Sequence, residues 1–263
     1  MNRNAMPLQR FPRCFQFAAA VVLILSGSLR AGAVFSSGWL ETFDGPTIDP
    51  GTWRQVNSQL ISQNGTAFFA AANSPGIVTE LITTEVRLGI GGRAQVQVAI
   101  NALTTTPNFS QFAYLALSTD SSGFGTPWDS YGLFTELSSA GALSGLVAST
   151  TISVTNIAPL RIFPVALDTT YSLRLERLTD TQVRYTVLDG SGISILGQVT
   201  RTLPSYTEPL YVAIGARSVD ATFDNLQLLG TIVPEPGTVS LLGLGSLSHP
   251  SGPVPWLIRL RMQ

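Results

Sequence analysis

The feature that most restricts the fold of this chain is the alternation of apolar and polar residues over short segments. Every second residue is apolar in RAQVQVAI (residues 93–100), in YSLRLER (171–177) and in QVRYTVLD (182–189). Successive side chains of a β-strand point to opposite sides of its sheet, so each segment predicts a strand with one buried face. No segment between residues 34 and 232 keeps a helical period. About twelve such strands, joined by turn residues, predict an all-β sandwich or barrel.

One segment departs from this alternation. FAYLAL (residues 112–117) is apolar on both faces. It predicts a strand in the middle of a sheet whose outer face is also covered, and the alternative is a strand that contributes to a concave ligand-binding face.

The composition excludes several classes of function. Fifteen basic residues, all of them arginine, oppose sixteen acidic residues, and the net charge is -1. Without a basic surplus the chain is not expected to bind nucleic acid. Without lysine it has neither Schiff-base chemistry nor a P-loop. The single histidine, His249, and the single cysteine, Cys14, lie near the two ends, so a Ser-His-Asp triad, a Cys-His pair or a His/Cys zinc site cannot form in the middle of the chain.

The first 33 residues have the pattern of a secretory signal peptide. Arg3, Arg10 and Arg13 precede the apolar run FQFAAAVVLIL, and the small residues Ala31-Gly-Ala33 follow it. We expect the export machinery and signal peptidase to recognise this segment and to cleave it after Ala33, and the alternative is an uncleaved anchor. Cleavage would remove the cysteine, so the mature fold would depend on core burial without disulfides.

Two short motifs carry a family resemblance. The opening ETFDG (residues 41–45) with IDPGTW (48–53), and the closing ATFDNLQLL (221–229), resemble the concanavalin A-like, or laminin-G-like, jelly rolls of bacterial secreted proteins. The resemblance implies one antiparallel, two-sheet jelly-roll sandwich over residues 34–232, with its first and last strands side by side. Lectins, carbohydrate-binding modules and glycoside hydrolases all share this fold, so the fold by itself decides no function.

Two aspartates in these motifs form a candidate cation site. Phe43 and Phe223 are expected core residues, whereas Asp224 would share the apolar face of Leu226 if the strand alternates strictly. A carboxylate in that position needs a partner. If the terminal strands pair, Asp44 and Asp224 approach each other, and their oxygens suit Ca²⁺. The resemblance adds that related sugar-binding jelly rolls often hold a structural calcium ion near their ends. The alternative is that each aspartate caps a turn.

A pair of catalytic carboxylates is not evident in the sequence. Similarity to laminarinase-like jelly rolls would require a strand of the type E-x-D-x-x-E, and Glu136 stands without a second acid nearby. Glu80 and Glu85 are five residues apart and face opposite sides of a straight strand. Surface charge is the expected role of all three, and a pair assembled from distant loops is the alternative.

The segment SSGFGTPWDSYG (residues 121–132) is the candidate ligand-binding loop. Phe124, Trp128 and Tyr131 lie there beside Asp129. Aromatic faces stack on sugar rings and carboxylates accept hydrogen bonds from sugar hydroxyls, so these residues are predicted to bind a glycan. The alternative is that the aromatic residues pack against one end of the sandwich.

The C-terminal residues 233–263 resemble a second targeting signal. Val233, Pro234, Glu235 and Pro236 are followed by the apolar run TVSLLGLGSL (238–247) and, further on, by two arginines. This is similar to the PEP-CTERM sorting signal of Gram-negative bacteria, which implies an exosortase-type processing enzyme, transient inner-membrane anchoring and a setting of exopolysaccharide or biofilm. The tail is degenerate, because its apolar run is about half a membrane span and prolines interrupt it.

Taken together, these features predict an exported cell-surface or extracellular-matrix protein. We expect it to be associated with an extracellular polysaccharide and to be non-enzymatic, because paired carboxylates are missing. One alternative is a secreted glycoside hydrolase or lyase of the same fold, and another is a purely structural matrix component.

Overall fold

The computed structural model describes residues 38–104, 111–121, 127–137, 143–151 and 160–234, with side chains for all of these except residues 127–130, 136–137, 143–144 and 151. Apart from a three-residue 3-10 helix, Ser58–Leu60, the regular structure of this part of the chain is β. None of the residues described here forms a helix of the length and hydropathy needed to cross a membrane. The strands are β1 Trp39–Glu41, β2 Trp53–Val56, β3 Ile61–Gln63, β4 Ala67–Ala70, β5 Val78–Leu88, β6 Arg93–Leu103, β7 Phe112–Ser118, β8 Pro127–Leu137, β9 Leu143–Thr151, β10 Leu160–Val165, β11 Tyr171–Arg177, β12 Gln182–Leu188, β13 Ile195–Thr202, β14 Leu210–Arg217, β15 Val219–Leu229 and β16 Ile232–Pro234.

The strands form two antiparallel sheets. Sheet I has the order β13-β12-β11-β6-β15-β4-β3, with β1 also paired to β15. Sheet II has the order β10-β9-β8-β7-β14-β5-β16, with β2 also paired to β5. The predicted antiparallel two-sheet sandwich is therefore confirmed. The first strand of the described region pairs with β15 through Trp39 opposite Leu228, as the resemblance implied.

The core lies between the inner faces of the two sheets, and the period-two pattern supplies it. In β6 the four apolar residues of the alternation are all buried, and the glutamines between them point to the other side. Phe43 and Phe223 are core residues, as expected. The inner face of sheet II is lined chiefly by Leu81, Leu88, Leu115, Leu117, Tyr131, Leu133, Val212 and Ile214.

The turns that join neighbouring strands are held by short polar side chains. Between β11 and β12, which form an antiparallel hairpin, the Thr179 hydroxyl accepts hydrogen bonds from the Gln182 and Thr181 amides at 2.9 and 3.2 Å. Between β12 and β13 the Asp189 carboxylate accepts a hydrogen bond from the Ser191 hydroxyl at 2.6 Å. That bond lowers the pKa of Asp189 to about 2; desolvation opposes it, and the Ile193 and Ser194 amides add to it. Such side-chain bonds to the local backbone fix the turn geometry.

Arg177 ends the inward-facing series of β11 and is 0% exposed. Its guanidinium donates hydrogen bonds to the carbonyl oxygens of Leu88 at 2.8 Å, Glu208 at 3.0 Å and Tyr206 at 2.7 Å. Burial lowers its pKa, and the nearby Tyr206 and Asp180 oppose that effect. A buried cation is tolerated where its donors are satisfied, so this arginine ties β11 to a β5 carbonyl and to the segment before β14.

A bulge in β15 corrects the expected position of Asp224. The register of β15 against β6 shifts between Asp224 and Gln227, and Asn225 has a left-handed backbone with φ 49°. Phe223 and Leu226 both face the core although they are three residues apart. The bulge therefore places the half-buried Asp224 on the outer face of sheet I, opposite Gln97, and not beside Leu226. Strict alternation failed because a bulge inserts one extra residue.

Candidate functional site

The outer face of sheet II is apolar and aromatic, unlike an ordinary solvent-facing sheet surface. All seven residues of β7 are buried, so the prediction from FAYLAL of a central strand covered on both sides is confirmed. A second hydrophobic cluster, separate from the core between the sheets, occupies this outer face; it consists of Ile82, Phe112, Tyr114, Ala116, Phe134, Val147 and Ala213. Phe112 connects its rings, with centroids 5.0 Å from Phe134 and 5.6 Å from Tyr114.

Glu80 lies in the middle of this apolar face. The register places Glu80 of β5 opposite Gly215 of β14, and Gly215 opposite Tyr114 of β7. Glu80 is 2% exposed and Tyr114 is 1% exposed. Burial raises the pKa of the Tyr114 hydroxyl well above its ordinary value, and the charge and hydrogen bonding of Glu80 raise it further. The tyrosine is thus held in its protonated form beside a buried carboxylate.

Gly215 makes this arrangement possible because it leaves room for the tyrosine ring. A Cβ atom at position 215 would lie 2.6 Å from Cζ and from Oη of Tyr114, and 2.6 Å from the Thr79 carbonyl oxygen. The Tyr114 side chain therefore extends across β14 toward β5, over a position that only glycine leaves open. This contact fixes the ring relative to Glu80.

A second polar pair lies further along the same face. Arg87 of β5 is directly opposite Tyr211 of β14. Its guanidinium carbon is 4.2 Å from the centroid of the Tyr211 ring, and its Nη2 donates a hydrogen bond to the Tyr211 hydroxyl at 2.5 Å. Both residues are half-buried. A cation held against an aromatic face and bonded to its hydroxyl has a fixed orientation.

The role predicted for Glu80 from the sequence is wrong. Surface charge was expected, and the side chain is instead buried on the outer face of sheet II. The argument that Glu80 and Glu85 face opposite sides of one strand also fails, because it assumed a straight strand. The register of β5 against β14 shifts between Ile82 and Arg87. Glu85 lies inside this irregular part and is half-buried. The signal that was missed is the apolar setting of Glu80, two residues from Val78 and from Ile82 on the same face.

The predicted aromatic ligand loop is largely not a loop. Strand β8 begins at Pro127, so Trp128, Asp129 and Tyr131 are strand residues. Tyr131 belongs to the core: it is 0% exposed, its ring centroid is 5.3 Å from that of Tyr185, and burial raises its pKa well above the ordinary value. For Tyr131 the ligand-binding hypothesis is therefore wrong and the packing alternative is right. Phe124, and the side chains of Trp128 and Asp129, lie outside the described residues, as does the side chain of Glu136.

The two aspartates of the predicted cation site are linked in the structure by the effect of the Asp44 charge on Asp224. Desolvation raises the pKa of Asp224, the Asn225 amide opposes that effect, and the charge of Asp44 raises the pKa further. Asp224 also accepts a hydrogen bond from the Asn225 side-chain amide at 2.9 Å. Among the side chains that the structure describes, no group of three or more acidic, histidine or cysteine residues is arranged to hold a metal ion. Two carboxylates are a small donor set for Ca²⁺, and calcium binding stays a prediction.

The first half of the predicted sorting motif is part of the sheet. Val233 and Pro234 belong to β16, where Val233 is opposite Arg87 and Pro234 is opposite Val86. Strand structure thus continues two residues past the boundary expected at residue 232. Glu235 and Pro236, the rest of the tail and the N-terminal 33 residues lie outside the described part of the chain.

Comparison with known proteins identifies the fold. No protein-family model matches the chain, and no curated protein matches it. Solved structures do match. A β-1,3-glucanase from Mycobacterium marinum has 13% identity and a TM-score of 0.51, and the match covers 76% of this chain and 100% of that one. The chain shares its jelly-roll fold with a glucanase.

Two further matches have the same architecture. A structure from work on endo-acting O-glycanases of the human gut microbiota, which initiate mucin breakdown, has 8% identity and a TM-score of 0.50 over 74% of this chain and 98% of that one. The Ca²⁺-bound exoplasmic/lumenal domain of VIP36 has 8% identity and a TM-score of 0.51 over 77% and 97%. At these identities the matches establish the fold.

These comparisons correct the functional prediction. The sequence analysis favoured a non-enzymatic, glycan-associated surface protein and counted the chain as not an enzyme. The matches to a β-1,3-glucanase and to the O-glycanase work contradict that prediction and favour its alternative, a glycoside hydrolase of the same fold. The prediction failed because it rested on sequence spacing alone, whereas an acid in a folded sheet is placed by register.

Proposed function

We propose that this protein is an exported glycoside hydrolase whose substrate binds on the outer face of sheet II, with Glu80 as its proton donor. The observation that carries the proposal is the buried Glu80 beside Tyr114 in the middle of an aromatic face. The fold shared with a β-1,3-glucanase supports it. A glycan with a β-1,3-glucan backbone is the first substrate to test.

The chemistry assigned to Glu80 is protonation of the leaving glycosidic oxygen. Glycoside hydrolases pair such an acid with a second carboxylate, about 5 Å away in retaining enzymes and about 6.5–9.5 Å away in inverting ones. Glu80 is a buried acid that the register of β5 and β14 places on this face. We assign the second carboxylate to Glu85 or Glu136, and substitution of each by its amide identifies it.

The proposed reaction requires the outer face of sheet II to become accessible to the substrate. Because Glu80 and Tyr114 are 2% and 1% exposed, a sugar reaches them only after the face is uncovered. The aromatic rings of Phe112 and Phe134 would then offer the stacking surface that sugar rings need. Tyr114, kept protonated, would donate a hydrogen bond and would hold the carboxyl group in place.

Export is a proposal based on the sequence. The basic and apolar N-terminal segment with its Ala31-Gly-Ala33 site supports secretion, and the Val-Pro-Glu-Pro motif supports processing at the C-terminal tail. Mass spectrometry of the protein exported by a Gram-negative host tests both. Export without loss of the first 33 residues would contradict the signal-peptide proposal, and an unchanged tail in a host with an exosortase-type enzyme would contradict the sorting proposal.

The decisive experiment measures new reducing ends released by the full chain from a β-1,3-glucan and from mucin O-glycans. Glu80→Gln is expected to lower the rate by about 10²- to 10⁴-fold, the usual contribution of a positioned acid. The matched control is Glu176→Gln, an acid on the outer face of sheet I whose carboxylate pairs with Arg184 at 3.6 Å, and it is expected to leave the rate unchanged.

Two results would contradict the proposal. One is hydrolysis by Glu80→Gln at the wild-type rate, with an unchanged melting temperature showing that the variant is folded. The other is the absence of hydrolysis of every polysaccharide tested by a wild-type protein that melts cooperatively. Where hydrolysis occurs, NMR of the first product anomer distinguishes retention from inversion, and thereby sets the distance at which the second carboxylate must lie.

A further inference from the structure

Positive charge is concentrated on the outer face of sheet II, although the whole chain has a net charge of -1. Four arginines point to this face, because each lies opposite a residue of the face or alternates with core residues. Among the residues whose side chains are described, Glu80 is a buried carboxylate on the same face. The four are Arg54 on β2, Arg87 on β5, Arg161 on β10 and Arg217 on β14.

Arg217 differs from the other three because the described residues offer it no partner. The guanidinium of Arg87 contacts Tyr211, and Arg54 donates a hydrogen bond to the Ser121 carbonyl oxygen. Arg161 also interacts with another group of the protein. Within the part of the chain that the structure describes, no hydrogen bond or ion pair involves the Arg217 side chain, and its Nε atom is buried without an acceptor.

The neighbours of Arg217 make that lack of a partner costly. The register places it opposite Val78 on one side and Phe112 on the other, and both side chains belong to the apolar outer face. A half-buried cation among apolar groups loses hydration that nothing in the described chain replaces. A guanidinium presents its donors as a planar fork that matches a carboxylate or a sulfate group.

Arg217 is also close to Glu80 without neutralising it. Glu80 is opposite Gly215, and Arg217 is two residues further along β14 on the same face. Glu80 and Arg217 are therefore diagonal neighbours, whose Cα atoms are about 7–8 Å apart in an antiparallel pair. A separation of this size is comparable to the span of one sugar ring. An anionic group bound by Arg217 would therefore belong to the sugar unit adjacent to a bond protonated by Glu80.

We infer that the substrate is an anionic polysaccharide, and that Arg217 binds a carboxylate or sulfate group on the sugar unit next to the cleaved bond. The inference rests on the proposed function for the role of Glu80. The binding of an acidic sugar by Arg217 is argued separately, from the position of Arg217 on the apolar face and from its buried Nε atom without an acceptor in the described chain.

Binding, measured by calorimetry on the full chain, tests the inference separately from catalysis. The probes are three oligosaccharides of equal length, namely a neutral β-1,3-glucan fragment, a uronate-bearing fragment and a sulfated fragment. We expect at least one acidic probe to bind about tenfold or more tightly than the neutral one, and we expect its affinity to fall with added salt. Whichever acidic probe binds identifies the anionic group.

The variants identify the residue responsible. Arg217→Gln is expected to weaken binding of the acidic probe about tenfold or more and to leave the neutral probe unchanged. Arg217→Lys keeps the charge without the fork and is expected to recover part of the affinity. Arg184→Gln, on the outer face of sheet I, is the matched control and is expected to bind like wild type.

Equal affinity for all three probes, or an acidic affinity that Arg217→Gln and Arg217→Lys leave unchanged, overturns the inference. If the wild type hydrolyses a neutral glucan with no preference for acidic substrates, the inference fails and the proposed function stands. If acidic probes bind through Arg217 but no substrate is cleaved, the acid-sugar site stands and the hydrolase proposal fails.

Discussion

The outer faces of the two sheets differ in the kind of side chains that they carry and in how their polar groups are bound. On sheet I many outward side chains are polar, and several bind one another: Arg174 Nε donates to Gln95 Oε1 at 2.8 Å, and Gln198 Nε2 donates to Thr186 Oγ1 at 2.9 Å. On sheet II they are mainly apolar and aromatic, and the few charged groups include a buried carboxylate and an arginine with no partner in the described chain.

This difference indicates which face has a function beyond folding. Polar side chains that bind one another need no ligand, whereas a half-buried arginine that the described part of the chain does not pair raises the free energy of the folded state unless a ligand completes it. The four predictions below test this contrast, from the largest expected effect to the smallest.

The largest effect is expected for the arginine that the protein does satisfy. Arg177→Met removes the donor of three carbonyl oxygens and should lower the free energy of unfolding by about 3–5 kcal/mol. Urea unfolding followed by tryptophan fluorescence measures it. Arg217→Met is the matched variant from the outer face of sheet II, and it should change stability by less than about 1 kcal/mol because no hydrogen bond is lost. Equal losses in the two variants would contradict the inference that the described chain binds the guanidinium of Arg177 and leaves that of Arg217 without a partner.

The next effect concerns the space that holds the Tyr114 ring. Gly215→Ala places a Cβ atom 2.6 Å from Cζ of Tyr114 and from the Thr79 carbonyl oxygen, and this overpacking should cost about 1–3 kcal/mol of unfolding free energy. In a Tyr114→Leu background the cost should be smaller, because the ring is gone. A double-mutant cycle from urea unfolding gives the coupling, and a coupling of zero would show that the ring does not depend on Gly215.

A smaller effect is expected on the outer face of sheet I. Gln95→Val deletes the acceptor of Arg174 Nε, a half-buried donor, and should lower the free energy of unfolding by about 0.5–1.5 kcal/mol. Arg174→Gln in the same background should add little, since the bond is already lost. Independent, additive losses in the thermal unfolding of the two variants would mean that these side chains do not act as a pair.

The smallest effect is expected at Asp224, the strained position of sheet I. Its pKa is raised by desolvation and then by Asp44, so the folded state holds the proton more tightly than the unfolded chain. Stability from this group is therefore present at low pH and is lost as pH rises through the raised pKa, so Asp224→Asn should increase the melting temperature at pH 7 and not at pH 3.

The same variant tests the cation prediction. After removal of metal with EDTA, added Ca²⁺ should raise the melting temperature of the wild type and leave that of Asp224→Asn unchanged, because an ion bound only by the folded state stabilises it. A wild-type curve that does not respond to Ca²⁺ would leave turn capping as the role of the two aspartates.

The sequence was informative where one physical cause decides the structure. Alternation in RAQVQVAI predicted the strand and its buried side, and FAYLAL predicted a strand covered on both faces, because burial alone sets those patterns. Short edge strands such as β2 and β10 were not predicted, since three to six residues with mixed burial carry little periodicity.

The site was less predictable because register, and not local pattern, brings its residues together. Glu80, Gly215 and Tyr114 are far apart in the chain and meet only through the order β5-β14-β7. The bulges in β5 and β15 then changed which side chains share a face. One of them left a trace in the sequence: Phe223 and Leu226 are both apolar and three residues apart, a spacing that an unbroken strand cannot bury on one side.

The sheet order described above also limits when the chain can fold. The strands β14 and β15 come late in the sequence, yet among the described strands β14 joins β7 to β5 and β15 joins β6 to β4. The parts of sheet II therefore stay separate until β14 is available, at residue 217, and those of sheet I until β15 is available, at residue 229. Pairings of such long sequence separation form slowly, because a large loop must close before any contact compensates for its entropy. A chain whose sheets cannot be completed before its last strands are synthesised stays unfolded for most of its synthesis. An unfolded chain of this kind can still pass through a translocation pore.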